Sequence, residues 1–314
     1  MHPFRQFTHQ VPLDVTNPSF FENIIASLQG RMDKPTLFGW FHLLCLAIMF
    51  AFCVWIVCRA KKLTEKKIDL IMAITASVMI LFEIYKQLAL SYNDGVWHYQ
   101  WYIFPFQFCS TPMYVMLIGA IVKNKTVKDA CRAFMATYGL FGGAIVMFYP
   151  EIVYGSMIGI NIQTMLHHGI MFVIGVMLYV SGTVKSTPKS TLRAIPVFLI
   201  LIASALLLNL AIYPLIQDDP TQAFNMFYIS PYYPCELPIL VDIQNAAPYP
   251  VFLLIYILGF TIAAFLMPTI ALGVTKLHAF FNRLLTTKKA DKTAKATATD
   301  KEPTQSAQDE NNGN

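Results

Sequence analysis

The sequence predicts an all-α membrane protein: a polytopic transmembrane bundle of about seven helices, N-terminus outside and C-terminus in the cytoplasm. Three observations carry this. Only 13% of the 314 residues are charged and 56% are hydrophobic, whereas a soluble domain usually carries about a quarter charged residues. The charges gather between apolar runs of about 20 residues, the length a helix needs to cross the hydrocarbon. Among the loops between these runs, finally, Lys and Arg occur only in alternate ones.

The apolar runs are 37–58, 68–90, 105–122, 131–149, 158–183, 192–216 and 249–274. RAKKLTEKK, after the first, holds Arg59, Lys61, Lys62, Lys66 and Lys67. Lys123, Lys125, Lys128 and Arg132 separate the third run from the fourth, and Lys185, Lys189 and Arg193 the fifth from the sixth. Loops 91–104, 150–157 and 217–248 contain no Lys or Arg. By the positive-inside rule the basic loops are cytoplasmic, and Trp97, Tyr99, Trp101 and Tyr102 form an aromatic belt at the outer interface. The expected location is the cell membrane, multi-pass.

Residues 1–36 read as an extracytoplasmic segment, with Pro3, Pro12, Pro18 and Pro35 and no signal-peptide h-region. Within it, SFFENIIASLQG (19–30) opens with a capping-box pattern, Ser19 and Glu22. Phe20, Phe21, Ile24, Ile25 and Leu28 then share one stripe, as in an interfacial helix, although an ordinary pre-membrane linker fits equally well. Residues 37–275 form the transmembrane domain. Residues 276–314 form a basic cytoplasmic tail, aperiodic and expected to be disordered from about 286. The loop 217–248 is long enough to be functional, and its aromatic content favours order.

Net charge is +5, but the basic residues lie in loops and a tail rather than on one folded face, which excludes a nucleic-acid partner. The six cysteines follow neither zinc nor disulfide-framework spacing. No cofactor motif is present. His167 and His168 are adjacent, 100° apart on a helix, and lack the i, i+4 spacing of helical zinc ligands, so no metal is expected.

Polar residues inside the spans are the informative ones, because a central charge costs about 2.5–3.5 kcal/mol on insertion scales. They are Glu83 and Lys86 in the second span, Gln107, Cys109, Ser110 and Thr111 in the third, Gln163, Thr164, His167 and His168 in the fifth, and Asn209 in the sixth. With the orientation applied, all fall in the outer leaflet. A shared depth implies one polar pocket between spans 2, 3, 5 and 6. Glu83 and Lys86, three apart on one face, read equally well as a structural ion pair. Cys45 and Cys53 are small packing residues. Cys58 and Cys131, beside cytoplasmic basic residues, are weak palmitoylation candidates.

The motifs resemble a known family. FPFQFCSTPMY (104–114) resembles the LPLxLCSxxLY segment of YwaF-like bacterial integral membrane proteins, YPEIVYG (149–155) their TPDLxYG loop, and LHHG their LAHG. Pro150 precedes His168 by 18 residues, as in the family pattern, so His168 matches the family histidine and His167 a variable neighbour. Asn209 and the Asn225-Met226-Phe227 tripeptide also resemble family positions. The family is similar in turn to the animal transmembrane protein 164 group, where NPCH stands in place of FQFCS. There, the cysteine and histidine equivalent to Cys109 and His168 are implicated in moving fatty acyl chains on phospholipids.

The resemblance implies a lipid-directed acyltransferase or hydrolase acting on a membrane phospholipid or lysophospholipid. Cys109 would attack as the nucleophile and His168 would take its proton. Glu83 would orient the imidazole through its second nitrogen, and Gln107, Asn209 or Asn225 would donate to the oxyanion. Two alternatives stand beside this. Cys109 and Cys235, the two outer-side thiols, could form a disulfide. The same pocket could serve a non-enzymatic transporter, receptor or assembly factor, although no inverted repeat supports a secondary transporter. An intramembrane protease lacks its GxGD or serine–histidine pattern.

Overall fold

The computed structural model describes residues 18–60, 62–93 and 95–299. The chain divides into two compact units, residues 1–269 and 270–314, and the polar site lies wholly in the first.

The first unit is a helical bundle. It opens with α1 (Phe20–Ser27), whose capping box is fully formed: Ser19 Oγ accepts from Glu22 N, and Glu22 Oε2 accepts from Ser19 N at 2.7 Å. The long helices follow: α2 (Trp40–Ala60), α3 (Glu65–Ser91), α4 (Thr111–Ile121), α5 (Lys125–Phe134), α6 (Leu140–Phe148), α7 (Ile158–Val180) and α8 (Pro188–Ile216). A short α9 (Leu240–Ala246) precedes α10 (Tyr249–Thr299), which begins in the first unit and continues through 270–299. Helical backbone thus occupies 286–299, where composition predicts disorder; the Ala and Lys residues there are good helix formers. Residues 300–314, and 1–17 of the N-terminal segment, lie outside the described residues.

Among the described residues, six helices are long and apolar enough to cross a membrane: Trp40–Ala60, Glu65–Ser91, Lys125–Phe148, Ile158–Val180, Pro188–Ile216 and Tyr249–Gly273. The third of these joins α5 to α6 through one π-helical turn, Met135–Gly139. Large apolar side chains stand exposed on the outer faces, among them Leu44, Phe52, Leu81, Ile200 and Leu207. That pattern would be untenable in water and is expected where lipid covers the helices.

The third sequence-predicted span, 105–122, is corrected. Only Thr111–Ile121 is α-helical there, about 16 Å of helix against a hydrocarbon core of about 30 Å. The cause is local: Pro105 cannot donate to a preceding turn, while Pro112 is well placed at the first turn of a helix and starts α4. Residues 104–110 are therefore turns. Non-helical backbone at membrane depth is tolerated only where protein buries it or it lines a cavity.

Ion pairs and hydrogen bonds define the two ends of this region. At the basic end, Lys128 Nζ and Arg132 Nη2 reach Asp69 at 2.6 and 2.7 Å, and Arg132 Nη1 reaches Glu65 at 2.6 Å, tying the start of α3 to α5. At the opposite end, strands β1 (Tyr92–Asn93) and β2 (Val96–Trp97) pair antiparallel. Trp97 Nε1 donates to Glu22 Oε1 at 3.1 Å, Tyr85 Oη donates to Leu28 O at 2.8 Å, and Gln29 Nε2 donates to Ala89 O at 2.7 Å, clamping α1 to the end of α3.

Between the ends, α7 packs on α6 with almost no gap. A Cβ on Gly143 would lie 2.7 Å from His168 O and 2.8 Å from Phe172 N, both backbone atoms that cannot step aside. Small residues allow helices this approach inside a membrane. Gly143→Ala is therefore expected to displace α7 at His168 and to cost about 1–3 kcal/mol. Thermal unfolding in detergent reads it; an unchanged midpoint would show that α6 and α7 can separate freely.

Candidate functional site

The site is assembled from the non-helical segment 104–110, the C-terminal half of α3, the first half of α7 and the loop that follows α8. Glu83 is its hub. The side chain is 3% exposed, and its carboxylate accepts from Lys86 Nζ at 2.6 Å, Gln87 Nε2 at 3.1 Å, Gln163 Nε2 at 3.3 Å and Ser110 Oγ at 3.4 Å. One acid thus joins α3 to α7 and to the residue next to Cys109. Desolvating a carboxylate is tolerable only with such a set of partners. Lys86 lies within electrostatic reach of the Cys109 thiol and of both imidazoles.

The two histidines have different surroundings, though both are buried. His167 Nε2 lies 3.0 Å from Met79 O; a carbonyl only accepts, so this nitrogen carries the proton. Nδ1 is then left to accept from Gln163 Nε2 at 3.4 Å. Both nitrogens are used, and His167 bridges α7 to α3. His168 Nδ1 lies 2.7 Å from Thr164 O, so that nitrogen is the protonated one. Its Nε2 makes no hydrogen bond to the described residues and keeps a free lone pair, the tautomer a general base needs.

This corrects the orienting role expected of Glu83. Its carboxylate does not reach an imidazole directly; Gln163 stands between, and it leads to His167, whereas His168 is oriented by its own helix.

Gln107, Asn209 and Asn225 form a second cluster. Gln107 Nε2 donates to Asn225 O at 3.0 Å, and Gln107 Oε1 accepts from Phe227 N at 2.9 Å. Asn209 grips Met226 in the same manner, Nδ2 to O at 3.0 Å and Oδ1 from N at 2.8 Å. Asn225 closes its own loop, to Pro234 O and from Ser230 N, each at 2.9 Å. These amides are occupied with backbone, and their work is to hold residues 225–230. That hold is needed: Phe227 and Tyr228 have φ of +59° and +57°, a conformation that costs a bulky residue about 1–3 kcal/mol and persists only when its surroundings over-determine it.

Cys109 lies between the clusters. Its near neighbours in the chain, Gln107 and Ser110, belong one to each, so the thiol is held from both sides without itself being pinned. It is half-buried, and no hydrogen bond joins it to either imidazole among the described residues. All six cysteines are free, Cys109 and Cys235 included. Among the described residues no group of three or more His, Cys, Asp and Glu is placed to hold a metal ion.

Ser110 and Gln163, both expected in the polar pocket though without an assigned role, complete the Glu83 network. Gln87, which was not expected there, joins them. Gln87 lies one turn after Glu83, where it also donates to Ile103 O at 2.6 Å.

No curated relative and no solved structure matches the chain. A family model does, over most of the region that forms the bundle. Residues 37–281 match the TMEM164 family, and the chain is a multi-pass membrane protein belonging to that family.

Proposed function

We propose that this protein is a membrane-embedded, lipid-directed acyltransferase or acyl hydrolase. Cys109 is the nucleophile, His168 the base, and a phospholipid or lysophospholipid the substrate. The observation that carries the reading is the break in helical structure at 104–110: unwound backbone inside an apolar bundle presents a half-buried thiol beside buried polar networks. The free Nε2 lone pair of His168 supports it, and Lys86, although paired with Glu83, is a nearby cation for the developing thiolate and oxyanion. We place the chain with the YwaF-like members on the motifs at 104–114 and 149–155. We orient it with the hairpin end outward in the cell membrane, because the basic end carries the Lys and Arg. Ester carbonyls of the outer leaflet then lie near the depth of Cys109.

In the forward step the thiol proton passes to His168 Nε2 while sulfur adds to the ester carbonyl. Collapse of the tetrahedral intermediate expels the lysolipid oxygen, which takes the proton back from His168 and leaves an acyl-thioester. A second lysolipid hydroxyl, or water, completes the cycle with His168 again as base. Purified protein in liposomes of phosphatidylcholine with one deuterated chain, mixed with lysophosphatidylethanolamine, is expected to yield labelled phosphatidylethanolamine or free fatty acid by mass spectrometry. No movement of label into either product would remove the reading.

A further inference from the structure

Tyr228 is an aromatic hydroxyl within electrostatic reach of the thiol that the site does not yet use. It sits in the tight turn Met226–Tyr228, with left-handed backbone at two consecutive aromatic residues. Gln107 and Asn209 hold that turn by four hydrogen bonds, two donated and two accepted by their buried or half-buried amides. A strained turn latched this firmly sets the direction of its side chains, and at functional sites such strain is retained for that purpose. The phenol is half-buried and makes no hydrogen bond to the described residues. It differs from Tyr179 and Ser91, whose unpartnered hydroxyls are sealed inside the protein. The Tyr228 hydroxyl is not among such sealed groups, and it lies within electrostatic reach of Cys109.

We infer that the Tyr228 hydroxyl is the hydrogen-bond donor to the carbonyl oxygen of an ester attacked at Cys109, and so supplies the oxyanion site that the amides of Gln107, Asn209 and Asn225 do not. The inference rests on the acyl-transfer reading above. As sulfur adds, the carbonyl π pair moves onto oxygen, and that oxygen accepts from Tyr228 without taking its proton. When the intermediate collapses the pair returns, and the leaving lysolipid oxygen is protonated from His168. Burial, with Glu236 and the two thiols Cys109 and Cys235 nearby, holds the phenol well above its ordinary range, so it remains a donor throughout. The geometry also divides the labour: Gln107 and Asn209 position the turn, and Tyr228 touches substrate.

The test compares two reactions of Cys109 in full-length protein in liposomes. Acylation by p-nitrophenyl palmitate passes through a tetrahedral oxyanion; alkylation by N-hexadecyl iodoacetamide is a direct displacement that forms none. Tyr228→Phe is expected to slow acylation roughly 10²–10³-fold, the effect of losing one oxyanion donor, and to leave alkylation within twofold of wild type. Equal acylation in Tyr228→Phe and wild type would overturn the inference while leaving Cys109 as nucleophile. A matching fall in both reactions would assign Tyr228 to loop structure and overturn it as well. If wild-type protein acquires no acyl group that Cys109→Ala removes, the underlying reading fails and the oxyanion role falls with it.

Discussion

Cys109→Ala is expected to abolish acyl transfer, with a loss of about 10³-fold or more, because it removes the covalent step rather than one stabilising contact. No neighbour can replace the thiol. The Ser110 hydroxyl is buried and directed to Glu83, and the Cys235 thiol is 1% exposed. The fold should survive, since a half-buried thiol with no hydrogen bond to either imidazole contributes mainly packing, about 1 kcal/mol or less. The measurement is labelling of the purified protein by an acyl-like thiol probe alongside its thermal unfolding. Labelling of Cys109→Ala at the wild-type rate would sink the assignment, whatever the unfolding curve shows.

The second large effect is expected at Glu83. Glu83→Gln removes the charge that compensates Lys86, whose side chain is 12% exposed. Breaking a buried pair by taking one partner typically costs about 3–5 kcal/mol, because the remaining ion is left without compensation. The loss should also spread, since the same carboxylate holds Gln163 and, through it, His167 on one side and Ser110 on the other. A second change, Lys86→Met, removes the stranded cation and is expected to restore much of the stability without restoring activity. Thermal unfolding of both variants, with acyl transfer on the same preparations, separates the two effects. A fall below about 1 kcal/mol for Glu83→Gln would mean that water screens the pair as at a surface.

The orientation of each histidine shows why sequence reached only part of this site. His167 and His168 are equivalent as residues in an apolar run, and a 100° turn says only that they face differently. Which ring is used up and which keeps a lone pair depends on Met79 O, which is 88 residues away from His167 in the chain, and on Thr164 O one turn back. Gln107 and Asn209 raise the same difficulty: polar side chains at membrane depth read equally well as oxyanion donors and as latches. The backbone of the loop after α8 decides for latches. Tyr228 carried no sequence signal, because its importance comes from a left-handed turn that no residue pattern there announces.

Span 105–122 makes the same point about the fold. Its apolar composition is that of a membrane helix, and only packing shows that the chain is unwound from 104 to 110. The two prolines that shape it, Pro105 and Pro112, were visible, but proline is tolerated in membrane helices and does not by itself end one.

Composition and period by themselves determined that this chain is an all-α membrane bundle, where its six long apolar helices lie and which polar residues are out of place in hydrocarbon. These follow from the cost of moving side chains and unpaired backbone out of water, which is local and can be summed along the chain. Only the tertiary structure decided that Glu83 gathers Ser110 and Gln163, that Gln107 and Asn209 latch one loop, and that Cys109 lies between them unpinned. Those relations depend on hydrogen bonds between residues far apart in the chain, whose short range and strict direction no linear pattern encodes.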